Sequence, residues 1–296
     1  RLNILTCSKP QLFSRGLRSG GLSPSVCNQR PPLGSGNIAI AALLVVETYL
    51  RMESLVTIRT NLKHRIRNGD ISVGASAPMT AKKSQIEDIM GSSDYTFLST
   101  DSQHGPYDER LLVEFCGAAD QVGVPVMFRI KHTFHSYLVG NILDLGPSGI
   151  EVPQTETQET AQQALDYFYY PQVGKRSWGG ASRANVNDHP ERLDYANYWN
   201  DFGVLWLQIE SLSAVTRAKS FAKKGVDCLS WGPADLSFDR EANQEHPLKT
   251  DDDCIRHVAK LLEGSQTKLC IRSYDPELRN KYLDMGATVL IERPSI

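Results

Sequence analysis

Short apolar runs alternate with longer amphipathic stretches from about residue 70 to the end of the chain. Eight of these runs are nearly all apolar, as strands covered on both faces must be. They are Ile71–Ala75, Tyr95–Thr100, Pro125–Ile130, Gly149–Pro153, Val204–Ile209, Val226–Trp231, Lys268–Ile271 and Thr288–Ile291. Eight buried strands separated by helical patterns predict an α/β fold, a (β/α)8 TIM barrel. An open doubly wound sheet is the alternative.

The stretches between the strands have helical spacing and recognisable helix ends. Residues Asp108–Val122 place leucine, phenylalanine and alanine along one side, and Ser211–Lys224 repeats that pattern. The Asp-Pro pair at Asp275 predicts a helix start, and Thr250–Asp253 resembles a capping box. No apolar run approaches the ~20 residues that a membrane-spanning helix needs, so no membrane partner is expected.

Composition narrows the class of protein. The chain is 41% hydrophobic and 22% charged, an ordinary balance for a globular protein. Its formal net charge of -2 argues against a nucleic-acid partner or an anionic-membrane surface. The six cysteines include no CxxC pair, so neither a disulfide framework nor a zinc site is expected. A reduced, cytoplasmic setting is the simplest interpretation.

The first 51 residues differ from the rest. Residues 1–46 contain five basic residues and no acidic ones, and they are rich in Ser, Gly and Pro. We interpret residues 1–51 as an N-terminal extension before a barrel domain at 52–296. The extension is either disordered or untranslated, or it is a transit peptide that would direct the protein to mitochondria. The GxGxxA match at Gly34–Ala39 follows no strand-like run, so it lacks the context of a dinucleotide-binding fingerprint.

Polar and charged residues gather where the predicted strands end, which is the face of a barrel that holds active sites. Asp101 and His104 follow the second strand, and Arg129 ends the third. Glu210 follows the fifth strand and Asp235 the sixth. This last pair would form a two-carboxylate oxygen site suited to Mg²⁺ or Mn²⁺. Each acid alone could instead be a helix-start residue.

The other strand-end residues also have functional and plainer interpretations. Asp101 lies three residues before His104, so we expect its carboxylate to orient the imidazole as a general base. The alternative is that His104 is a core histidine whose hydrogen bonds are satisfied within the protein. Arg129 is expected to bind a substrate oxygen, the alternative being a structural pair with Glu210 or Asp101. Gln208 shares the strand face of Glu210 and would point into the same cavity.

Three further features bear on the chemistry. Gly174–Ser177 is interpreted either as a mobile loop over the barrel mouth or as a plain solvated turn. His132 and His135 have no third ligand nearby and are interpreted as helix-surface residues. No lysine stands at a strand end of the site pattern, which argues against a Schiff-base mechanism.

Six segments occur in the order and at the spacing of a known family. They are Asp101–Gly105, Phe128–Arg129, Val152–Pro153, Tyr170–Arg176, Leu207–Glu210 and Gly232–Ser237. On these motifs, residues 60–292 resemble the HpcH/HpaI aldolases, which are metal-dependent class II 2-oxo-acid aldolases. Macrophomate synthase looks like a more distant relative in the same group. The chain has Gln103 where relatives have Glu, and it stops at Ile296 before a final helix. A homo-oligomer is implied, but that short end weakens the expectation.

The resemblance implies a role for each matching position. Glu210 and Asp235 would hold a divalent metal, most readily Mg²⁺, with Mn²⁺ or Co²⁺ as alternatives. Arg129 would contact the 2-oxo group, and His104, oriented by Asp101, would act as base or proton relay. The substrate would be bound by Gln208 and by the segment Gly232, Pro233 and Ala234, where the backbone at Ala234 and Asp235 would receive the pyruvate carboxylate.

The implied activity makes or breaks a C–C bond in 4-hydroxy-2-oxo acids through a pyruvate enolate. Its partners would be a small 2-oxo acid and an aldehyde. The same metal site would also serve an oxaloacetate decarboxylase of the macrophomate-synthase kind or an acyl-CoA lyase. An alternative of another class is a catalytically silent, truncated barrel that acts as a binding or assembly partner.

Overall fold

A computed structural model describes residues 62–295, and the predicted barrel is present. Eight parallel strands form one closed barrel in the sequential order β1 to β8. Every predicted strand is found, with each end within three residues of its predicted position. The strands are β1 Ser72–Ser76, β2 Phe97–Asp101, β3 Val126–Arg129, β4 Gly149–Val152, β5 Val204–Ile209, β6 Cys228–Trp231, β7 Lys268–Tyr274 and β8 Val289–Glu292.

Helices separate consecutive strands and pack outside the barrel. The α-helices are Lys83–Ser92, Glu109–Val122, Val139–Leu143, Gln158–Phe168, Arg192–Phe202, Leu212–Thr216, Ala218–Phe221, Pro233–Ala242, Asp251–Leu261 and Arg279–Asp284. Two short 3₁₀ helices are Thr133–Leu138 and Pro276–Leu278. No helix within residues 62–295 is long and apolar enough to cross a membrane.

The predicted helix boundaries follow local capping. The Asp108 side chain accepts a hydrogen bond from the backbone of Leu111, and that helix ends at Gly123 with φ of 77°. Thr250 and Asp253 form the expected capping box. Local hydrogen bonding therefore fixes where these helices begin and end.

One predicted helix is divided. Instead of a single helix over Ser211–Lys224, the chain forms Leu212–Thr216 and Ala218–Phe221. Thr216 donates its hydroxyl hydrogen bond to the carbonyl of Leu212 at 2.7 Å, a side-chain bond that tends to bend helices. The sequence spacing showed the buried face but not this break.

The barrel interior changes character along its axis. Apolar side chains fill the end where the strands begin, and residues 62–68 are helical there. The apolar interior group comprises Leu62, Ile66, Phe97, Met127, Val204, Trp206, Cys228, Cys270, Val289 and Ile291. Towards the carboxyl ends of the strands the buried positions include the polar residues Arg129, Glu151 and Gln208.

The amino end of the barrel is also tied by buried charges. Lys63 is 1% exposed and donates to the Tyr169 hydroxyl at 2.9 Å and to Asp227 at 3.2 Å. Arg67 donates to the second oxygen of Asp227 at 2.7 Å. Burial lowers the pKa of Lys63, but Asp227 opposes that effect. These contacts join the helical residues 62–68 to the start of β6 and to the end of the helix Gln158–Phe168.

The segment Gly174–Ser177 is not a loop over the barrel mouth. It follows the helix after β4 and precedes β5, which places it towards the amino ends of the strands. Arg176 is 1% exposed and donates to Asp144 at 2.8 Å. Its guanidinium also stacks on Tyr170 and Trp199. Residues 1–51, including the Gly34–Ala39 match, lie outside the described residues.

Candidate active site

The carboxyl ends of β2, β3, β5 and β6 bring together most of the predicted site residues. Asp101 is the last residue of β2 and Arg129 the last of β3. Gln208 lies in β5, and Glu210 comes directly after that strand. Gly232 follows β6 and begins the helix Pro233–Ala242. The parallel strands therefore deliver these groups to one end of the barrel.

Glu210 and Asp235 form a close pair of carboxylates. Glu210 is 5% exposed, and Asp235 lies in the first turn of the helix after β6. Burial raises the pKa of Glu210 to about 8, and Asp235 adds to the shift as a hydrogen-bond partner and as a like charge. The backbone N–H of Gln154, 3.5 Å from Glu210 Oε1, opposes that shift only in part. Without a cation the site therefore favours the protonated form of Glu210, and a bound cation would replace that proton.

This donor set fits a hard divalent cation. A cation between the carboxylates would offset their repulsion, and oxygen ligands are those that Mg²⁺ and Mn²⁺ prefer. Among residues 62–295 no group of three or more His, Cys, Asp or Glu residues is arranged to bind a metal ion. The pair would therefore leave coordination positions for substrate and water. A groove of about 500 Å³ reaches it, lined by Thr133, Gln154, Glu156, Thr160, Glu210, Ser211, Asp235 and Asp239.

Gly232 gives Glu210 its place. A Cβ at this position would lie 2.4 Å from Glu210 Cγ and 3.0 Å from Gln208 Nε2. Real Cβ atoms do not approach other atoms that closely, so only glycine leaves room for both side chains. The Gly-Pro-Ala-Asp segment thus supplies one ligand, Asp235, and the space for the other.

The start of the helix Pro233–Ala242 presents free backbone donors. Its first residue is a proline, and Gly232 occupies the position before it. The N–H groups of Ala234 and Asp235 fall in the first turn, where no intrahelical acceptor is available. Ala234 is an exposed residue. Such a helix start suits a carboxylate.

Arg129 is held by two neighbours. Its Nε and Nη2 donate to the two oxygens of Asp101 at 2.7 and 2.6 Å, and its Nη1 donates to Gln208 Oε1 at 3.1 Å. Burial raises the pKa of Asp101, but the Arg129 hydrogen bonds and charge outweigh it and leave the pKa lowered. A guanidinium has five N–H donors, so two of those on Arg129 remain for another acceptor.

His104 departs from expectation. The predicted Asp101–His104 hydrogen bond does not occur among residues 62–295, because Asp101 gives both oxygens to Arg129. His104 is exposed at the rim of the barrel. Asp101 Oδ1 also accepts the backbone N–H of Gln103, whose own Oε1 is buried with no partner among residues 62–295. His132 precedes the short 3₁₀ helix Thr133–Leu138, and His135 lies within it.

A second ion pair beneath the site was missed from the sequence. Glu151 of β4 and Arg272 of β7 are 1% and 6% exposed, and Arg272 Nη2 donates to Glu151 Oε2. Ser230 of β6 donates to Glu151 Oε1 at 2.5 Å. The sequence did contain a signal for this pair, since Glu151 is a charged residue inside the apolar run Gly149–Pro153. Its partner Arg272 lay beyond the predicted end of β7.

Comparisons with known proteins agree with this architecture. The family model described as HpcH/HpaI aldolase/citrate lyase matches residues 80–258. A hydroxypyruvate/pyruvate aldolase of Pseudomonas aeruginosa is 26% identical over 230 residues, covering 76% of this chain and 82% of the relative. The family match therefore spans the strand ends that form the site, from β2 to β6.

Two solved structures share the fold. The HpcH/HpaI aldolase from Desulfitobacterium hafniense DCB-2 has a TM-score of 0.67 and 24% identity, covering 78% of this chain and 89% of that one. Macrophomate synthase has a TM-score of 0.64 and 18% identity, covering 79% of this chain and 82% of that one. Members of the matched family are metal-dependent. Since the family model covers more than half of its length, this chain belongs to the HpcH/HpaI aldolase/citrate lyase family and is an enzyme of the class II aldolase type.

Proposed function

We propose that this enzyme cleaves or forms a carbon–carbon bond in 4-hydroxy-2-oxo acids through a pyruvate enolate. The observation that carries the proposal is the close Glu210–Asp235 pair next to an arginine with two free donors. Such a site can bind a cation and stabilise negative charge on one substrate oxygen, which is what enolate formation requires. The name of the Pseudomonas aeruginosa relative, a hydroxypyruvate/pyruvate aldolase, supports a 2-oxo-acid substrate.

The metal would be held by Glu210 and Asp235, with Mg²⁺ preferred and Mn²⁺ or Co²⁺ as alternatives. When bound, it supplies Lewis-acid stabilisation of negative charge on the 2-oxo oxygen. The first-turn N–H groups of Ala234 and Asp235, with Gly232 and Pro233 shaping the backbone, receive the substrate carboxylate. Asp235 would thus serve the metal through its carboxylate and the substrate through its backbone N–H.

Arg129 and Gln208 act on the substrate's oxo end. The two remaining N–H groups of Arg129 donate to the 2-oxo oxygen as it gains charge, and Asp101 keeps the guanidinium plane fixed. Gln208 accepts from Arg129 through its Oε1, which leaves its amide N–H groups available to the substrate. Positioning on rigid strand ends lowers the entropy cost of reaching the transition state.

His104 is proposed as the base. It accepts the proton of the 4-hydroxyl, the C3–C4 bond breaks, and the C4–O group becomes the aldehyde carbonyl. The bonding electron pair passes to C3, giving the pyruvate enolate, and protonation at C3 then gives pyruvate. His104 is exposed at the rim of the barrel, which suits a group that exchanges protons with solvent between turnovers.

Two other reactions would use the same site. Decarboxylation of oxaloacetate gives the same enolate without deprotonating a hydroxyl. An acyl-CoA lyase, which cleaves a carbon–carbon bond in an acyl-CoA ester, would use the same metal as its electrophile. Substrate profiling separates these reactions from aldol cleavage. We also expect a homo-oligomer in the cytoplasm, and light scattering of the purified chain tests its assembly.

The test is a turnover assay that follows pyruvate release with lactate dehydrogenase and NADH. The substrates are 4-hydroxy-2-oxo acids and oxaloacetate, each after EDTA treatment and after addition of Mg²⁺, Mn²⁺ or Co²⁺. We expect activity to disappear with chelator, to return with metal, and to be absent in Glu210→Gln. Full activity in EDTA would exclude the proposal, and metal binding without turnover of any 2-oxo acid would favour a silent barrel.

A further inference from the structure

Four charges of alternating sign line the barrel interior, two of them within the proposed substrate site and two beneath it. Asp101, Arg129 and Glu151 are register partners on the consecutive strands β2, β3 and β4. Arg272 reaches Glu151 from β7, on another part of the wall. Arg129, Glu151 and Arg272 are each at most 7% exposed, so their charges interact with little screening by water.

Glu151 is the register neighbour of Arg129 but does not bond to it. All three hydrogen bonds of Arg129 go to Asp101 and Gln208. Both carboxylate oxygens of Glu151 are occupied, Oε1 by the Ser230 hydroxyl and Oε2 by Arg272. The arrangement therefore separates two oppositely charged neighbours that would otherwise pair.

The separation has a consequence for Arg129. Burial lowers the pKa of the Arg129 guanidinium, but the Asp101 hydrogen bonds and the attraction of the Glu151 charge outweigh that effect and leave the pKa raised. A buried carboxylate without its own cation would be the strongest acceptor within reach. Such a carboxylate would take the two N–H groups of Arg129 that have no partner among residues 62–295.

We propose that Arg272 is a positioning residue that engages Glu151 and so keeps the two free N–H groups of Arg129 available to the substrate oxygen. The inference deepens the proposed function and rests on its assignment of Arg129 to the 2-oxo oxygen. Arg272 touches no reacting atom in this scheme. Its effect is transmitted by one carboxylate, and removing that carboxylate's charge should therefore make Arg272 dispensable.

The test compares Arg272→Met with the double variant Arg272→Met/Glu151→Gln. In the single variant Glu151 is free to capture Arg129, so kcat should fall on the order of 100-fold, as on loss of one oxyanion donor. We expect KM to change less, because the lost contact strengthens as charge develops. In the double variant the competing charge is gone, and most of the lost kcat should return.

A matched control separates positioning from stability. Glu292 is fully buried and is held by Arg279 through two hydrogen bonds of 2.7 and 2.8 Å. Arg279→Met therefore also strands a buried carboxylate, but without a contact to Arg129. Both single variants should lower the melting temperature, and only Arg272→Met should lower kcat, measured well below each melting temperature.

The results can show separately whether the role of Arg272 or the proposed function of Arg129 is wrong. Unchanged kcat in folded Arg272→Met overturns the inference, and so does a double variant as slow as the single one. An equal kcat loss in Arg279→Met would show a general stability effect and would also overturn it. If Arg129→Lys keeps full kcat as well, the assignment of Arg129 in the proposed function fails. If Arg129→Lys is slow while Arg272→Met is not, only the inference fails.

Discussion

Replacing Gly232 with alanine tests the geometry of the carboxylate site with a single methyl group. The new Cβ would lie 2.4 Å from Glu210 Cγ and 2.9 Å from its Cδ, whereas ordinary contacts begin at 3.4 Å. Glu210 must therefore move by about 1 Å, because the opposing Gly232 backbone is fixed by β6 and by the helix that follows. A displacement of that size at a reacting centre costs on the order of 100-fold in rate.

The backbone gives no other reason for an effect. Gly232 has φ of -110° and ψ of 90°, which alanine adopts without strain. We therefore expect Gly232→Ala to fold, to lose at most about 1–3 kcal/mol of stability from overpacking, and to bind metal more weakly. Calorimetric titration with Mn²⁺, pyruvate release and thermal unfolding measure these three quantities.

A second glycine provides the control. Gly117 lies inside the helix Glu109–Val122, and a Cβ there would meet nothing within 4 Å. Gly117→Ala should raise stability by about 0.5–1 kcal/mol, with kcat and metal affinity unchanged. Metal affinity and turnover of Gly232→Ala equal to those of the parent would refute the placement of Glu210 against Gly232.

Three further variants report on individual side chains. In metal-free buffer, the stability of Glu210→Gln relative to the parent should increase as pH rises from 4.5 to about 8. Folding raises the pKa of the Glu210 carboxyl group, so the parent protein loses stability over that pH range while the uncharged glutamine does not. Thermal unfolding at several pH values measures the difference. Asp101→Asn should lose about 2 kcal/mol in urea unfolding, because Arg129 loses its charged acceptor, and unchanged stability would contradict that pair. His104→Gln should change the free energy of unfolding by less than about 0.5 kcal/mol. It should slow aldol cleavage at least about 100-fold and leave oxaloacetate decarboxylation unchanged. Equal losses in both reactions would argue against a base that acts on the 4-hydroxyl.

The barrel was predictable because strands buried on both faces must be apolar. That single constraint located all eight strands, and the residues after them identified Glu210 and Asp235 as neighbours. Capping chemistry gave helix ends at Asp108 and Thr250 for the same reason: it is local in sequence. Local rules thus gave the architecture and the place of the site.

The partners of the charged groups were harder to predict, because they depend on distances across the barrel. Asp101 lies three residues from His104 in sequence, but its carboxylate meets Arg129 on the next strand. Arg176 looked like part of a polar loop, yet it is stacked on aromatic rings. The Glu151–Arg272 pair joins β4 to β7 across the barrel, a contact that spacing along the chain does not encode.

The most direct test of a shared metal site is a titration of Mn²⁺ into the EDTA-treated protein, followed by electron paramagnetic resonance. The titration is repeated on Glu210→Gln and Asp235→Asn, with pyruvate release measured on the same samples. We expect the parent to bind a single ion per chain and to regain turnover with it, and each variant to lose both. Unchanged Mn²⁺ binding in either variant, or turnover by the metal-free parent, would contradict two carboxylates acting together on one cation.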